Sequence, residues 1–211
     1  MADHPFRFAG QAFIARPSGA LYWPDQDMLI LSDLHLGKSE RMARRGGALL
    51  PPFETRETLS RLAAEISAVR PARLALLGDI FDDDAAGLAL PGDERALFAQ
   101  LTGAQDTLLI AGNHDAGSGM LTLPLAGLQL RHIAVAGQGP DISGHYHPKA
   151  RIAGRSRPAF MIGTDHLILP AFGHYTGGLR HDAAALRLLV PTGIAILTGR
   201  RALAIPLSLP E

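Results

Sequence analysis

The sequence predicts a layered α/β fold, with two sheets packed face to face and helices on the outside. Three short apolar runs have the length and composition of buried strands: MLILS (28–32), RLALLG (73–78) and TLLIAG (107–112). Both ends of the chain are different, because residues 12–24 and 193–207 have the pattern of β-hairpins. Strands that alternate with helices in the middle and pair as hairpins at the ends indicate a layered architecture.

Helical periodicity is clearest between the first two apolar runs. Apolar residues recur there at helical spacing: Leu59, Leu62, Ala63, Ile66 and Val69. They predict an amphipathic helix with one face against a sheet. A shorter helix is predicted over 93–102. The chain has 211 residues, of which 47% are apolar, so it can bury a sizeable core. We expect a single domain over residues 1–211.

The composition excludes some kinds of site and leaves others open. The sequence has no cysteine, which excludes disulfides and thiolate metal sites. Its N-terminal residues lack the pattern of a secretory signal, and no apolar run reaches the length of a membrane span. We therefore expect a cytoplasmic protein without a membrane partner. Twenty basic and twenty acidic residues cancel, so the net charge neither favours nor excludes a nucleic-acid partner.

Polar side chains follow each of the three apolar runs. Asp33 and His35 come after the first run, Asp79 after the second and Asn113 after the third. In open α/β sheets, ligand sites form beyond the carboxyl ends of the strands. Alternate residues of an extended chain point the same way. We therefore expect Asp33 and His35 to face one point together.

Histidines later in the chain extend this set. His145 and His147 are also one residue apart and are expected to face the same way. The candidate metal ligands are Asp33, His35, Asp79, Asn113, His132, His145 and His147. Two divalent ions that share a bridging carboxylate would use the whole set, and such ions lie ~3.5–4 Å apart. Mixed imidazole and oxygen ligation favours Mn²⁺, Fe²⁺ or Zn²⁺ over Mg²⁺ or Ca²⁺.

Four motifs, D-x-H, G-D-x-x-D, G-N-H-D and G-H-x-H, occur in this order between residues 33 and 147. In this order they resemble the motifs of the calcineurin-like metallophosphoesterases. The resemblance implies a four-layer αββα sandwich of two mixed sheets flanked by helices. The ligands it implies are Asp33, His35 and His147 for the first ion, Asn113, His132 and His145 for the second, and Asp79 as the bridge.

The same resemblance implies hydrolysis of a phosphoester. A water between two divalent ions loses a proton near neutral pH and can attack phosphorus in line. His114 is the natural proton donor to the leaving oxygen, and Asp82 resembles the family aspartate that orients this histidine. Asp83 stands where the protein phosphatases of the family have an arginine that grips a phosphomonoester, which favours a phosphodiester substrate. Asp115 is interpreted as a cap or turn residue.

A closer resemblance extends over nearly the whole chain. The segments LYWPDQDMLILSDLHLGK, SGHYHP and LPAFGHYTGG (169–178) resemble those of the bacterial ligase-associated endonucleases of the PdeM type. This resemblance implies a Mn²⁺-dependent DNA endonuclease in DNA repair, functionally associated with an ATP-dependent DNA ligase and a DNA helicase. The glycines of residues 169–178 suit tight turns, but the sequence assigns this segment no role.

Two basic clusters are candidate contacts for DNA phosphates. Lys38, Arg41 and Arg45 share one face if residues 38–45 are helical, directly after the first two candidate ligands. The second cluster follows the last ligand motif and consists of Lys149, Arg151, Arg155 and Arg157. Each cluster is also compatible with an ordinary solvated surface.

Three functions remain open at this point. The first is a DNA endonuclease, and the second is a phosphodiesterase for small molecules such as cyclic nucleotides, dinucleotides or a pyrophosphate. The third is a scaffold without catalysis, which the full ligand set and His114 disfavour. Salt sensitivity distinguishes the first two, because binding to a polymer through phosphates weakens steeply with salt. The basic clusters and the closer resemblance favour DNA.

Overall fold

The computed structural model describes residues 2–47, 50–115, 117 and 119–207, which form two mixed sheets and five α-helices. The first sheet has six strands in sequence order: β1 (His4–Phe8), β2 (Gln11–Ala15), β3 (Leu21–Trp23), β4 (Met28–Leu31), β5 (Arg73–Leu77) and β6 (Asp106–Ile110). Strands β1 to β4 pair antiparallel, whereas β4, β5 and β6 run parallel. Both predicted kinds of pairing therefore occur within this one sheet.

The second sheet has eight strands. They are β7 (Thr122–Leu125), β8 (Leu128–Arg131), β9 (Asp141–Ser143), β10 (Lys149–Ile152), β11 (Arg155–Ile162), β12 (His166–Ile168), β13 (Gly193–Leu197) and β14 (Leu203–Leu207). Seven follow the order β14-β13-β11-β12-β9-β8-β7, and β10 pairs with β11 beside this path. Strands β8, β9 and β12 are parallel, so their carboxyl ends lie at one edge.

Five helices cover the outer faces: α1 (Lys38–Arg44), α2 (Glu54–Val69), α3 (Asp84–Ala89), α4 (Gly92–Gly103) and α5 (Ala184–Leu189). Leu59 and Leu62 of α2 pack with Leu74 and Leu76 of the first sheet. Helix α5 covers the second sheet through Leu186 and its neighbours. The predicted αββα layering is confirmed.

Strand β4 illustrates why the first apolar run is continuous. Met28 and Ile30 belong to the core between the two sheets, whereas Leu29 and Leu31 belong to the core beneath the helices. Successive side chains of a strand point to opposite faces. Because both faces of this sheet are covered, both sets must be apolar.

The other element predictions are confirmed as well. Residues 12–24 contain the β2–β3 hairpin, residues 193–207 contain the β13–β14 hairpin, and α4 covers the predicted 93–102. Helix α1 ends at Arg44, so Arg45 is its C-terminal cap residue rather than part of the helix. Among the described residues, no helix has both the length and the apolarity needed to cross a membrane.

Candidate metal centre

The loops that follow β4 and β5 hold each other through backbone hydrogen bonds. The Asp33 N–H donates to the Gly78 carbonyl oxygen at 3.2 Å, and the His35 N–H donates to the Asp79 carbonyl oxygen at 2.9 Å. The parallel pairing of the two strands thus continues beyond their ends as a less regular ladder. This ladder fixes the first D-x-H segment against the aspartate of the second motif.

The backbone of the candidate ligands is not extended, which corrects one sequence prediction. The φ angles of Asp33 and His35 are 55° and 46°, and those of His145 and His147 are 68° and 44°. Asp79 has φ 48°. A non-glycine residue rarely adopts this left-handed region, and such strain clusters at functional sites at a cost of roughly 1–3 kcal/mol each. Asp33 and His35 enter one group of candidate ligands through tight turns instead of strand alternation, whereas His145 and His147 enter two different groups.

The first group of candidate ligands is Asp33, His35 and His147, whose donor atoms all lie within 4.8 Å of one another. Nε2 of His147 is 3.3 Å from Nε2 of His35 and 3.2 Å from Oδ1 of Asp33. Ligand atoms bonded at ~2.1 Å to one ion are separated by roughly 3.0–3.4 Å for angles between 90° and tetrahedral. The observed separations match that range.

The second group is Asp79, His132 and His145, which also lie within 4.8 Å of one another. Nε2 of His132 is 3.4 Å from Oδ2 of Asp79 and 3.0 Å from Oδ1 of Asn113. The Nδ1 of His132 is 2.8 Å from the Leu77 carbonyl oxygen. Because a carbonyl oxygen only accepts, Nδ1 carries the hydrogen and Nε2 is left free to bind an ion.

Asp79 lies between the two groups. Its Oδ2 is 3.4 Å from Nε2 of His132 and 3.9 Å from Nε2 of His35. Burial opposes ionisation of Asp79, but its contacts with His132 outweigh burial and lower its pKa to about 2. Burial likewise lowers the pKa of His132, but Asp79 and Asp33 outweigh it and the net pKa is raised. One carboxylate oxygen therefore lies within 3.9 Å of a histidine of each group.

The residues present fit divalent cations. Asp33 is fully buried, and its Oδ1 has no hydrogen-bond partner, while its Oδ2 accepts from the Ser32 hydroxyl at 2.5 Å and from the His145 N–H at 2.9 Å. A buried carboxylate without a counter-charge is costly. Gly144 leaves room for this arrangement, since a Cβ there would collide with Ser32. Imidazole and carboxylate donors around an orphaned buried oxygen are the environment that a transition-metal ion prefers.

His114 and Asp82 are in contact, and the contact is made by the main chain of Asp82. The Nδ1 of His114 is 2.7 Å from the backbone carbonyl oxygen of Asp82, so this nitrogen carries the hydrogen. Its Nε2 faces the site, 3.9 Å from Oδ2 of Asp79. The Asp82 carboxylate instead contacts Nδ1 of His35 at 2.9 Å. The side chain of Asp82 is thus placed to orient a candidate ligand, and its main chain to orient His114.

The basic face of α1 is engaged with the acidic turn after β5. Arg41 donates to the Asp82 carboxylate at 2.7 Å, and Lys38 lies 3.5 Å from it. Arg45 lies 3.2 Å from Asp83, which also caps α3. Burial favours the neutral form of Asp82, but His35, Lys38 and Arg41 outweigh burial and lower its pKa. The predicted phosphate contacts are therefore also ion-pair partners within the chain.

The second basic cluster is divided between two faces. Arg155 and Arg157 lie opposite Ile152 and Ala150 in the β10–β11 pair. Cross-strand partners lie on the same face of a sheet. Within one strand, alternate residues share a face and adjacent residues lie on opposite faces. Lys149 and Arg151 therefore lie on the opposite face, and the four residues do not form one patch.

Asp115 has a larger role than a cap or turn residue. Its fully buried carboxylate accepts from the backbone N–H of Gly112 at 2.9 Å, of Asp79 at 3.1 Å and of Ile80 at 2.7 Å. It thereby joins the loops after β5 and β6. The sequence contains one signal for this role. Asp115 comes directly after Asn113 and His114, and the residues after it have no helical pattern for it to cap.

Residues 169–178 support the ligand loops from behind. The N–H of Phe172 donates to the Ser32 carbonyl oxygen, and that of Gly173 donates to the Asp33 carbonyl oxygen, both at 2.9 Å. A Cβ on Gly173 would collide with the Leu34 backbone. Because β12 is parallel to β9 and β8, the segment that follows it reaches the same edge of the sheet. This position gives the segment the role that the sequence left unassigned.

Comparisons with known proteins agree with this architecture. The crystal structure of nuclease MPE from Pseudomonas putida superposes with a TM-score of 0.73 and 24% sequence identity, over 97% of this chain and 100% of that chain. No protein-family model and no curated protein matches the sequence. The fold is an α/β sandwich of two mixed sheets flanked by helices, and candidate metal ligands converge at one edge of it.

Proposed function

We propose that this chain is a metal-dependent phosphodiesterase that cleaves DNA internally, with two divalent ions at the edge of the sandwich. Asp33, His35 and His147 would hold the first ion, and Asp79 would be shared between both. Asn113, His132 and His145 would hold the second. The observation that carries the proposal is the position of Asp79 Oδ2 within 3.9 Å of His35 Nε2 and 3.4 Å of His132 Nε2.

The ions, Mn²⁺ in the first instance with Fe²⁺ or Zn²⁺ as alternatives, would supply an activated water and positive charge at the phosphate. The chain supplies the remaining chemistry. His114, with a hydrogen on both ring nitrogens, would give the Nε2 proton to the leaving oxygen and keep the Nδ1 hydrogen bonded to the Asp82 carbonyl oxygen. The Asp82 carboxylate would keep His35 in a fixed ring orientation.

Two observations support a DNA diester as the substrate. Asp83 caps α3 and pairs with Arg44 and Arg45, so the position that would bind a monoester in phosphatases carries a negative charge instead. The structural neighbour with the same fold is described as a nuclease. Lys38, Arg41 and Arg45 would contact phosphates next to the scissile bond by exchanging their carboxylate partners for the substrate. A role in repair beside a ligase and a helicase remains a prediction from the sequence resemblance.

A small-molecule phosphodiesterase is the second candidate. A cavity of about 360 Å³ opens beside Asn113 and His132, which is a suitable size for part of a nucleotide. Such a cavity is compatible with cyclic nucleotides or dinucleotides as well as with one nucleotide of a polymer.

The decisive experiment uses circular single-stranded DNA, a phosphomonoester, a simple aryl phosphodiester and 2′,3′-cyclic nucleotides, each with Mn²⁺ or EDTA. Linearisation of the circle that requires Mn²⁺ and falls sharply in His114→Ala supports an endonuclease. Diester turnover with the circle left intact supports the small-molecule candidate. Absence of turnover in protein with two bound ions would overturn both. His4→Ala is the matched control, because His4 lies in β1 on the far edge of the first sheet.

A further inference from the structure

A cavity adjoins the candidate metal centre on the side of the second group. Its volume is about 360 Å³. Two of its lining residues, Asn113 and His132, are candidate ligands, so the cavity is continuous with the position proposed for the second ion. A larger cavity of about 460 Å³ lies between α1, α3 and the start of α4, and none of the candidate ligands lines it. The smaller cavity is therefore the one placed to receive substrate.

The walls of this cavity are apolar and exposed. Leu121 is 80% exposed, Val135 41% and Ile133 37%. Exposed apolar side chains grouped beside a polar site mark a surface for binding a ligand. These three residues come from the segments just before β7 and just after β8, so they frame the entrance from two directions. Their side chains are apolar and carry no charge.

The floor of the cavity carries polar groups that are already paired. Arg131 is 9% exposed, and its guanidinium donates to the backbone carbonyl oxygen of Gln138 at 3.2 Å and to Oε1 of the same residue at 3.4 Å. Its Nε lies 3.6 Å from the fully buried carboxylate of Asp141. The charge of Arg131 is thus matched from beneath. The floor therefore suits a group with a hydrogen-bonding edge better than it suits a second phosphate.

We propose that this cavity receives the nucleobase of the nucleotide next to the scissile phosphodiester. The proposal rests on the proposed function, since it places a substrate base beside the second ion position. Leu121, Ile133 and Val135 contact the faces of the base, and Arg131 with Gln138 contacts its edge. Apolar contact of this kind buries the face of any base and does not depend on its identity. A paired base inside a duplex cannot enter a concave site of this size, so the enzyme prefers unpaired or extruded nucleotides.

The test compares diesters that differ only in the group beside the phosphate. The substrates are methyl p-nitrophenyl phosphate and the 5′- and 3′-(p-nitrophenyl phosphate) esters of thymidine, all with Mn²⁺. We expect at least one thymidine ester to exceed the methyl ester in kcat/KM by roughly 5- to 100-fold. Val135→Trp, which fills the cavity, and Leu121→Ala, which removes a wall, should reduce this advantage severalfold. The readout is the ratio of the thymidine-ester to the methyl-ester kcat/KM for each variant, so a general loss of activity is not counted as a loss of the advantage.

The matched control is Leu188→Ala, an exposed leucine of α5 on the outer face of the second sheet, which should keep the full advantage. Equal rates for thymidine and methyl esters would overturn the nucleobase site while leaving the phosphodiesterase proposal intact. An advantage that survives both Val135→Trp and Leu121→Ala would also overturn it. Absence of hydrolysis of every diester would overturn the proposed function and the nucleobase site together.

A second readout uses DNA of one sequence in single-stranded and duplex form. We expect the single strand to be cleaved at least about tenfold faster by the wild type. Val135→Trp should narrow this ratio by slowing cleavage of the single strand. Duplex cleavage at the same rate as single-strand cleavage would contradict the proposal. The thermal unfolding midpoint of each variant is measured as well. A variant that keeps the wild-type midpoint has lost the preference for single-stranded DNA and not its fold.

Discussion

The two groups of candidate ligands differ in how the surrounding chain encloses them. In the first group Asp33 and His35 are buried, and behind His35 the Asp82 carboxylate is held by Arg41 at 2.7 Å. Each group has two buried residues and one half-buried residue, but beside the second group the exposed Asn113 borders a cavity of about 360 Å³. The first proposed position, which we call closed, is therefore supported by the Asp82–Arg41 ion pair, and the second, which we call open, adjoins the cavity.

This difference predicts that the two ion positions differ in metal affinity and in contact with the substrate. A ligand set fixed by its own hydrogen-bonded supports loses little entropy when it binds an ion. We expect the first ion to bind more tightly and the second to exchange more readily and contact the substrate. Asp79 lies within 3.9 Å of a histidine of each group, and we propose that it couples the two ions.

Replacing Asp79 by Asn should have the largest effect, because it weakens both positions at once. We expect kcat for a diester to fall by ~10³-fold or more, which corresponds to several kcal/mol of lost transition-state stabilisation. Metal analysis after dialysis should find clearly less than two ions per chain. Asp93→Asn serves as the control, since Asp93 is an exposed residue of α4. A variant that keeps both ions and more than a tenth of the activity would contradict a shared role for Asp79.

Removing one histidine from each group separates the two positions. His35→Ala should abolish the tighter class of Mn²⁺ sites, and His132→Ala the weaker class, each with at least a roughly 100-fold loss of affinity for that class. Calorimetric titration of metal-free protein measures both. Loss of the tighter class in His132→Ala would reverse the assignment of closed and open positions. His4→Ala is the control, because His4 lies in an edge strand. His166→Ala is less suitable, because His166 contacts Asp141.

Asp115 braces the loops that carry Asp79 and Asn113, so its replacement tests the support of the shared ligand. Asp115→Asn loses charged hydrogen bonds to backbone N–H groups and should lower the free energy of unfolding by roughly 2–4 kcal/mol. A fall in the melting temperature of about 5–15 °C follows for a chain of this size. Differential scanning calorimetry in EDTA measures the shift. The exposed Asp106→Asn at the start of β6 should shift it by less than about 2 °C.

The convergence of the ligands could be predicted from the sequence, because strand order alone brings the ends of β4, β5 and β6 to one edge. The local path of the backbone could not. Asp33 and His35 adopt positive φ since their N–H groups donate to carbonyl oxygens of Gly78 and Asp79, which are more than forty residues away in sequence. Hydrophobic periodicity indicates which face of a helix or strand is buried. It gives no information about hydrogen bonds between two loops.

The roles of Asp115 and of residues 169–178 were missed for the same reason. Each acts through contacts with main-chain atoms of distant loops, and any residue sequence in those loops presents the same N–H and carbonyl groups. The pairing of Arg45 with Asp83 was missed for a different reason. A helical pattern places basic residues on one face, but only the packed turn before α3 determines what that face meets.

Acidification of metal-free protein tests the brace behind the first group. The folded-state pKa of Asp82 is lowered, because His35, Lys38 and Arg41 outweigh burial. Its ionised form therefore stabilises the folded protein fully above the unfolded-state pKa of about 3.9, and this stability is lost as the pH falls toward the folded-state value. Relative to Asp82→Asn, wild type should be more stable by roughly 1.5–3 kcal/mol at pH 5–7.

The stability difference between wild type and Asp82→Asn should then shrink below about pH 4. Thermal melts in EDTA at pH 3 to 7 follow it directly. A difference that stays constant down to pH 3, or grows on acidification, would show that Asp82 does not hold His35 through its charge. Asp84→Asn, in the first turn of α3, is a suitable control because Asp84 is exposed.

The smallest expected effect concerns the path of DNA over the closed side. Arg45 has a side chain that is 59% exposed and pairs only weakly with Asp83, so it can exchange that carboxylate for a phosphate. Arg45→Ala should weaken DNA binding a few-fold at low salt and reduce the slope of log affinity against log salt by about one. Hydrolysis of methyl p-nitrophenyl phosphate should not change, because that substrate has no flanking phosphate. Arg187→Ala on α5 removes the same charge from the outer face of the second sheet and should leave the slope unaltered. An unchanged slope in Arg45→Ala would mean that DNA approaches the ions only from the open side, past Leu121 and Val135.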